Sequence, residues 1–142
     1  MHVVMSLEEN KAKIRLIHDE VINKGNMSII DELVSVNIVD HGIPLEVPNG
    51  VDGMKQMVTT FRTAFPDINL TREDMIAEGD KVVCRYTMRG THKGELMGIA
   101  PTGKQVTLSG IEINRFEQGK LVEHWEQADM MGLMQQIGSS PS

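Results

Sequence analysis

The spacing of apolar residues changes at Pro66 from mainly helical to alternating, and that change limits the folds open to this chain. Before Pro66 the apolar residues recur every three or four positions: Ile14, Ile17, Val21 and Ile22; Ile29, Ile30, Leu33 and Val34; Met54, Met57, Val58, Phe61 and Phe65. Such stripes line one face of a helix. After Pro66 the pattern alternates, as in strands with one buried face, until a last helical stripe at Met130, Leu133, Met134 and Ile137. Helices segregated from a run of sequential strands imply an α+β fold.

Punctuation refines the reading. Ser6 and Glu9 have the spacing of a capping box, which predicts a helix start, and Gly25 is placed to end that helix. Asn26 can cap a second, shorter helix. A short strand is expected over 36–41, then a loop over 42–53 dense in Gly and Pro, then a third helix stopped by Pro66. Strands are expected over 68–77, 81–92, 106–116 and 121–129, with a loop over 93–104. Gly110 sits inside a strand, where glycine often marks a bulge. One domain is expected over 1–138, with a disordered tail at 139–142.

At 142 residues the chain can bury one core of ordinary size. Its formal net charge of −6, without a basic patch, argues against nucleic acid as a partner. The single cysteine, Cys84, cannot form an intrachain disulfide and lies in an apolar run that suits burial. No secretory signal or membrane span is legible, so a soluble cytoplasmic protein is expected. Eleven methionines stand against five aromatic residues. Methionine adapts to irregular cavity walls, and equally fills gaps in a core poor in Phe.

Several segments carry a family likeness: Asp40-His41 before a Pro/Gly loop, FRTAFPD at 61–67, IAEGDKVVCR at 76–85, GTHKGELMGIAPTGK at 90–104, and GKLVEHWEQAD at 119–129 with its following GL. Over nearly its whole length the chain resembles the SnoaL-like polyketide cyclases, or ester cyclases, of the NTF2-like superfamily. That resemblance implies a cone-shaped half-barrel, a curved antiparallel sheet closed by N-terminal helices around a pocket. It also implies a small hydrophobic ligand and a homo-oligomer, dimer or tetramer, formed through the sheet's outer face. In the family an acid at the end of the last long strand moves the proton in an intramolecular aldol condensation. Asp129 matches that position.

A carbon acid flanked by carbonyl groups needs only a positioned carboxylate to lose its proton, so no metal or organic cofactor is called for. His41, at the end of the first strand, is the expected partner of Asp129, as hydrogen-bond donor or orienting group. Asp129 is as well suited to cap the terminal helix. Pocket candidates are Trp125, Arg85, His92, His124, Tyr86, Met57 and Phe61. Strict alternation puts Asp129, Gln127 and Trp125 on one face and His124 on the other; a bulge near Ala128 would regroup them. Arg85, if buried, needs a partner such as Glu112. His18 reads as a boundary residue beside the first stripe. The histidines lie on separate strands without zinc-helix spacing, so no metal site is expected. Two alternatives stand beside the cyclase. One is an epoxide hydrolase-like site built from Asp129, Arg85 and Glu112. The other is a non-catalytic ligand-binding or dimerisation module, in which Asp129 faces helix backbone or solvent.

Overall fold

The computed structural model describes residues 2–42 and 47–138, with side chains from Leu7 onward. The expected tail at 139–142 and part of the Pro/Gly loop lie outside the described residues. Helix α1 (His2–Leu16) runs directly into a π-helical segment, Ile17–Ile22. Next come α2 (Ser28–Leu33), β1 (Val34–His41) and α3 (Val51–Ala64), then β2 (Asn69–Glu78), β3 (Lys81–Thr91), β4 (Gln105–Glu117), β5 (Lys120–Ala128) and α4 (Met130–Gln136).

The α+β reading holds: a curved five-stranded sheet, ordered β1-β5-β4-β3-β2, carries the helices on one face and is not closed into a barrel. Strands β2 to β5 form an antiparallel meander, whereas β1 pairs parallel to β5 and brings Asp40 beside His124 and His41 beside Trp125. Two apolar clusters hold the layers together. One joins α1, the π-helical segment, α2, β1 and α3 through Ile14, Val21, Ile30, Ile38 and Val58; the other gathers Phe65, Met88, Leu108, Leu133 and Ile137.

Local expectations moved in four places. Helix α1 starts at His2, upstream of Ser6. The second helix is capped at Met27 without a side-chain hydrogen bond, and Val34 already belongs to β1. Helix α3 begins at Val51, inside the expected loop. Gly110 marks no bulge, since pairing runs unbroken through it to both Tyr86 and Ala128. A Cβ there would lie 2.4 Å from the Tyr86 hydroxyl, so Gly110 makes room for the phenol to lie across the sheet. Among the described residues no helix is long and apolar enough to cross a membrane.

Candidate active site

The concave face of the sheet and the facing helices enclose a cavity of about 420 Å³, lined by members of both apolar clusters. Met54, Met57, Met88, Met97 and Met130 contribute to its wall, with Phe61, Ile38 and Leu108. Methionine therefore does shape the cavity here. The polar side of the wall comes from His18, Asp40, Tyr86, Glu112, Asn114, His124, Glu126 and Gln127.

Alternation along four strands, β1, β3, β4 and β5, assembles the sheet's share of this polar side. Cys84 pairs with Glu112 and Glu112 with Glu126, while Asn114 pairs with His124 and His124 with Asp40. These are inward positions, where an ordinary sheet carries Val or Ile. Polar groups survive such burial only when hydrogen-bonded, and most of these are. Tyr86 donates its hydroxyl hydrogen to Glu126 Oε2. Asn114 Nδ2 donates to the Val82 carbonyl at 3.4 Å, which turns its amide oxygen toward His124 Nδ1 at 2.6 Å. His124 Nε2 faces Glu126 Oε1 at 3.0 Å. Both ring nitrogens of His124 thus meet acceptors, and only the imidazolium can donate to both. Burial by itself would lower the pKa of His124. The hydrogen bond to Glu126 and the charges of Glu112, Glu126 and Asp40 outweigh it and raise the value to about 9.

The helix layer adds a second pair. His18, 3% exposed, donates from Nε2 to Glu112 Oε1 at 2.7 Å, and the second oxygen of Glu112 lies 3.9 Å from His124 Nε2. Burial pushes the Glu112 pKa up, yet the bond to His18 and the nearby His124 charge bring it below the ordinary glutamate value. Burial pushes the Tyr86 phenol well above its ordinary range, reinforced by Glu126. Asp40 differs from all of these, because no described residue donates a hydrogen bond to it. Burial raises its pKa to about 6; His124 works against that rise and Glu126 adds to it. A cavity-facing carboxylate with no partner among the described residues and a pKa near neutrality is equipped to take up and return a proton.

Two sets of side chains have ligand atoms within 4.8 Å of one another: His18, Cys84 and Glu112, and Glu112, His124 and Glu126. Their donor chemistry does not suit a cation as they stand. The nitrogens involved already hold protons between acceptors, and burial pushes the Cys84 thiol up to about 12, where no thiolate ligand is offered.

The model of the SnoaL-like polyketide cyclase family matches residues 12–137. The chain belongs to the SnoaL-like polyketide cyclases. Among curated relatives it is 26% identical to the nogalonic acid methyl ester cyclase of Streptomyces nogalater, over 82% of this chain and 88% of that protein. It is 25% identical to an aklanonic acid methyl ester cyclase of Streptomyces peucetius, over 84% of each. Among solved structures, TsrD of Streptomyces laurentii superposes with a TM-score of 0.85 at 26% identity, covering 94% of this chain and 97% of that one. AclR of Streptomyces galilaeus, a proposed hydroxylase, gives a TM-score of 0.83 at 34% identity, covering 95% and 99%.

Within this SnoaL-like fold, the residues singled out from the sequence divide between the two faces of the sheet. Tyr86, His124, Met57 and Phe61 line the cavity. Pairing with β4 slips by one residue at Val122 and then runs without a shift from Glu123 to Ala128, so alternation holds over that stretch and Trp125 lies on the outer face, where its ring stacks on His41 with centroids 5.1 Å apart. His41 also bonds Glu123 at 2.8 Å and is exposed. Arg85 points outward and bonds Asp74 at 2.7 Å, because its neighbours Cys84 and Tyr86 take the inward positions. His92 is fully buried beneath the 93–104 loop, bonded to Thr102 and packed on Phe65, away from the cavity wall. Asp129 is exposed and caps α4, accepting from the Gly132 N–H at 2.9 Å. The trio imagined for epoxide hydrolysis is therefore not brought together: of Asp129, Arg85 and Glu112, only Glu112 lines the cavity.

Asp40, Glu112, Glu126 and His18 are the site residues that the sequence reading passed over or placed elsewhere. Asp40 shares a strand parity with buried Ile38, a signal that favours it over His41. Glu112 and Asn114 alternate with outward residues along β4, as do His124 and Glu126 along β5, and paired polar residues at inward positions are the pattern to look for.

Proposed function

We propose that the domain expected over 1–138 is a cofactor-free cyclase that closes a ring by intramolecular aldol addition, with Asp40 as the base. Asp40 takes the proton from a carbon between two carbonyl groups, and the C–H electron pair becomes an enolate. The enolate carbon attacks a ketone of the same molecule, forming the ring C–C bond while the ketone π pair moves to oxygen. Protonated Asp40 returns the proton to that alkoxide, so substrate and product are isomers. The His124 imidazolium, held by Glu126 and Asn114, supplies fixed positive charge where the enolate develops. Apolar walls around the substrate hold its two ends together.

The observation that carries this reading is the Asp40 carboxylate, without a hydrogen-bond partner among the described residues, beside His124, whose two ring nitrogens both face acceptors. A binding-only module also accommodates Asp129 outside the cavity. It gives no reason for a half-buried carboxylate that no described residue hydrogen-bonds, which costs stability. Among the described residues no Lys or Arg lines the cavity, which favours a neutral substrate such as an ester over a free acid. The relatives named for methyl esters agree with that preference.

The test uses nogalonic and aklanonic acid methyl esters as probes, followed by chromatography with mass detection. Cyclisation gives a new species of unchanged mass, lost by ~10²–10⁴-fold in Asp40→Asn. A product heavier by one oxygen atom would point instead to the hydroxylase chemistry proposed for AclR. An Asp40→Asn variant of full activity would remove Asp40 from the mechanism. The same reading keeps a cytoplasmic homo-oligomer, with exposed Ile76, Ile111 and Val39 on the outer face as the surface to cover, measurable by light scattering.

A further inference from the structure

Among the described residues five methionines line the cavity, and of these only Met97 is exposed, at 47%. It therefore stands at the rim, where the wall meets solvent. An exposed apolar side chain alone asks for no account. The backbone beneath this one does, because its φ is +49°, a left-handed conformation that residues with a Cβ seldom adopt. Leu96 and Ile99 exchange both backbone hydrogen bonds, at 3.1 and 2.9 Å, around Met97 and Gly98, whose φ of +83° is left-handed too. Two left-handed central residues are the pattern of a type I′ turn, the usual place of Asn-Gly or Gly-Gly. The other described non-glycine residue with positive φ, Gln118, is polar and lines no part of the cavity. The loop that carries Met97 is held at its base and along its length. The Lys93 and Gly94 N–H groups donate to the Ala64 carbonyl at 2.9 and 3.1 Å, and the Gly103 N–H to the His92 carbonyl at 2.8 Å. Leu96 is fully buried in the second apolar cluster with Ile99 packed against it, whereas Met97 belongs to neither cluster.

We propose that Met97 is a specificity-determining contact, whose thioether side chain covers an apolar part of the ligand at the cavity rim. Strain at a residue that the core does not use persists where the site gains from it. Methionine is unbranched, with a polarisable sulfur, so it settles on an aromatic or alkyl surface of varied outline. The fixed loop delivers the side chain, and the left-handed backbone turns it to the rim. The inference rests on the cyclase reading only in taking this cavity for the substrate site. Its test reads binding and stability, so either can fail without the other.

The probe is N-phenyl-1-naphthylamine, an uncharged compound whose fluorescence rises in apolar surroundings. Wild-type protein is expected to bind it, with affinity at least fivefold weaker in Met97→Asn and within about twofold in Met97→Leu, which keeps an apolar side chain. Met131→Asn, which alters an exposed methionine outside the cavity wall, is expected to leave the affinity unchanged. Asn suits the left-handed turn, so the urea midpoint of Met97→Asn is expected at or above that of wild type. Protein carrying ¹³C at its methionine methyls has one resonance that is missing from Met97→Asn. A soluble gadolinium chelate is expected to broaden that resonance in the free protein and to spare it once the probe is bound. Turnover of the esters, and its loss in Asp40→Asn, bear on the cyclase reading alone. No binding by wild type, unchanged affinity in Met97→Asn, an equal loss in Met97→Leu or Met131→Asn, a lowered urea midpoint in Met97→Asn, or a Met97 methyl that the chelate reaches equally with and without the probe overturns the assignment.

Discussion

Replacing Asp40 by Asn is expected to inactivate the protein and make it more stable, and the stability gain has a defined dependence on pH. Folding raises the Asp40 pKa from 3.8 to about 6, chiefly through burial. The native state therefore holds this proton more tightly than the unfolded chain. The contribution of Asp40 is harmless below pH 3.8 and becomes a penalty as pH rises through about 6. At ~1.36 kcal/mol per pH unit the full penalty has a ceiling of ~3 kcal/mol, which residual contact with solvent reduces to ~1–2 kcal/mol. Asn is neutral and nearly isosteric, so Asp40→Asn should recover that amount at about pH 7.5. By the same linkage roughly half is recovered at about pH 5. Urea denaturation of both proteins at the two pH values measures it. In parallel, kcat/KM of the wild type should fall about tenfold per pH unit below pH ~6, because the base is then protonated. A stability gain independent of pH, or a loss at pH 7.5, would refute the claim that Asp40 is an unpartnered, ionised carboxylate in the folded protein.

Asp129→Ala should cost ~0.5–2 kcal/mol by removing the cap on α4, with Asp129→Asn near wild type and turnover unaltered in both; a thousandfold loss of turnover would return Asp129 to the chemistry. Gly110→Ala should destabilise by ~1–3 kcal/mol by driving a methyl group into the Tyr86 ring, seen as a lower urea midpoint and altered near-ultraviolet circular dichroism of the tyrosine. Glu112→Ala should cost ~3–5 kcal/mol, since it strips His18 of its partner and His124 of a neighbouring charge. Arg85→Ala removes an exposed ion pair with Asp74 and should change stability by less than ~1 kcal/mol, without effect on turnover.

The fold was legible because it rests on periodicity and on segments spread along the whole chain. Periodicity also oriented β3 and β5, placing Tyr86 opposite Arg85 and His124 opposite Trp125. What it could not supply was the pairing of β1. Neither edge of that short strand announces that it runs parallel to β5, and only this pairing sets Asp40 beside His124. His18 was unreadable for a different reason. A histidine next to an apolar stripe reads as boundary, and the π-helical turn that puts it in the cavity wall leaves no mark in spacing alone. Asp129 shows the converse. Its chemistry suits both cap and base, and strand parity cannot decide because the residue lies just beyond the last pair, Gly110 with Ala128.

The polar row across the centre of the sheet also explains how the site is kept in place. A sheet of this size gains most from apolar residues at inward positions, yet this one buries Glu112, Asn114 and His124 there. Each is tolerable only while its neighbours remain, because a single truncation leaves a buried charge or donor unmatched. His18 fixes Glu112, Asn114 and Glu126 fix His124, and Tyr86 fixes Glu126 in the space that Gly110 leaves open. These interlocking bonds hold the rotamers of every charged group except Asp40. Among the described residues Asp40 is the one cavity carboxylate outside the network, so it is left free to exchange a proton with whatever enters the cavity, and the surrounding fixed charges need not reorganise when it does.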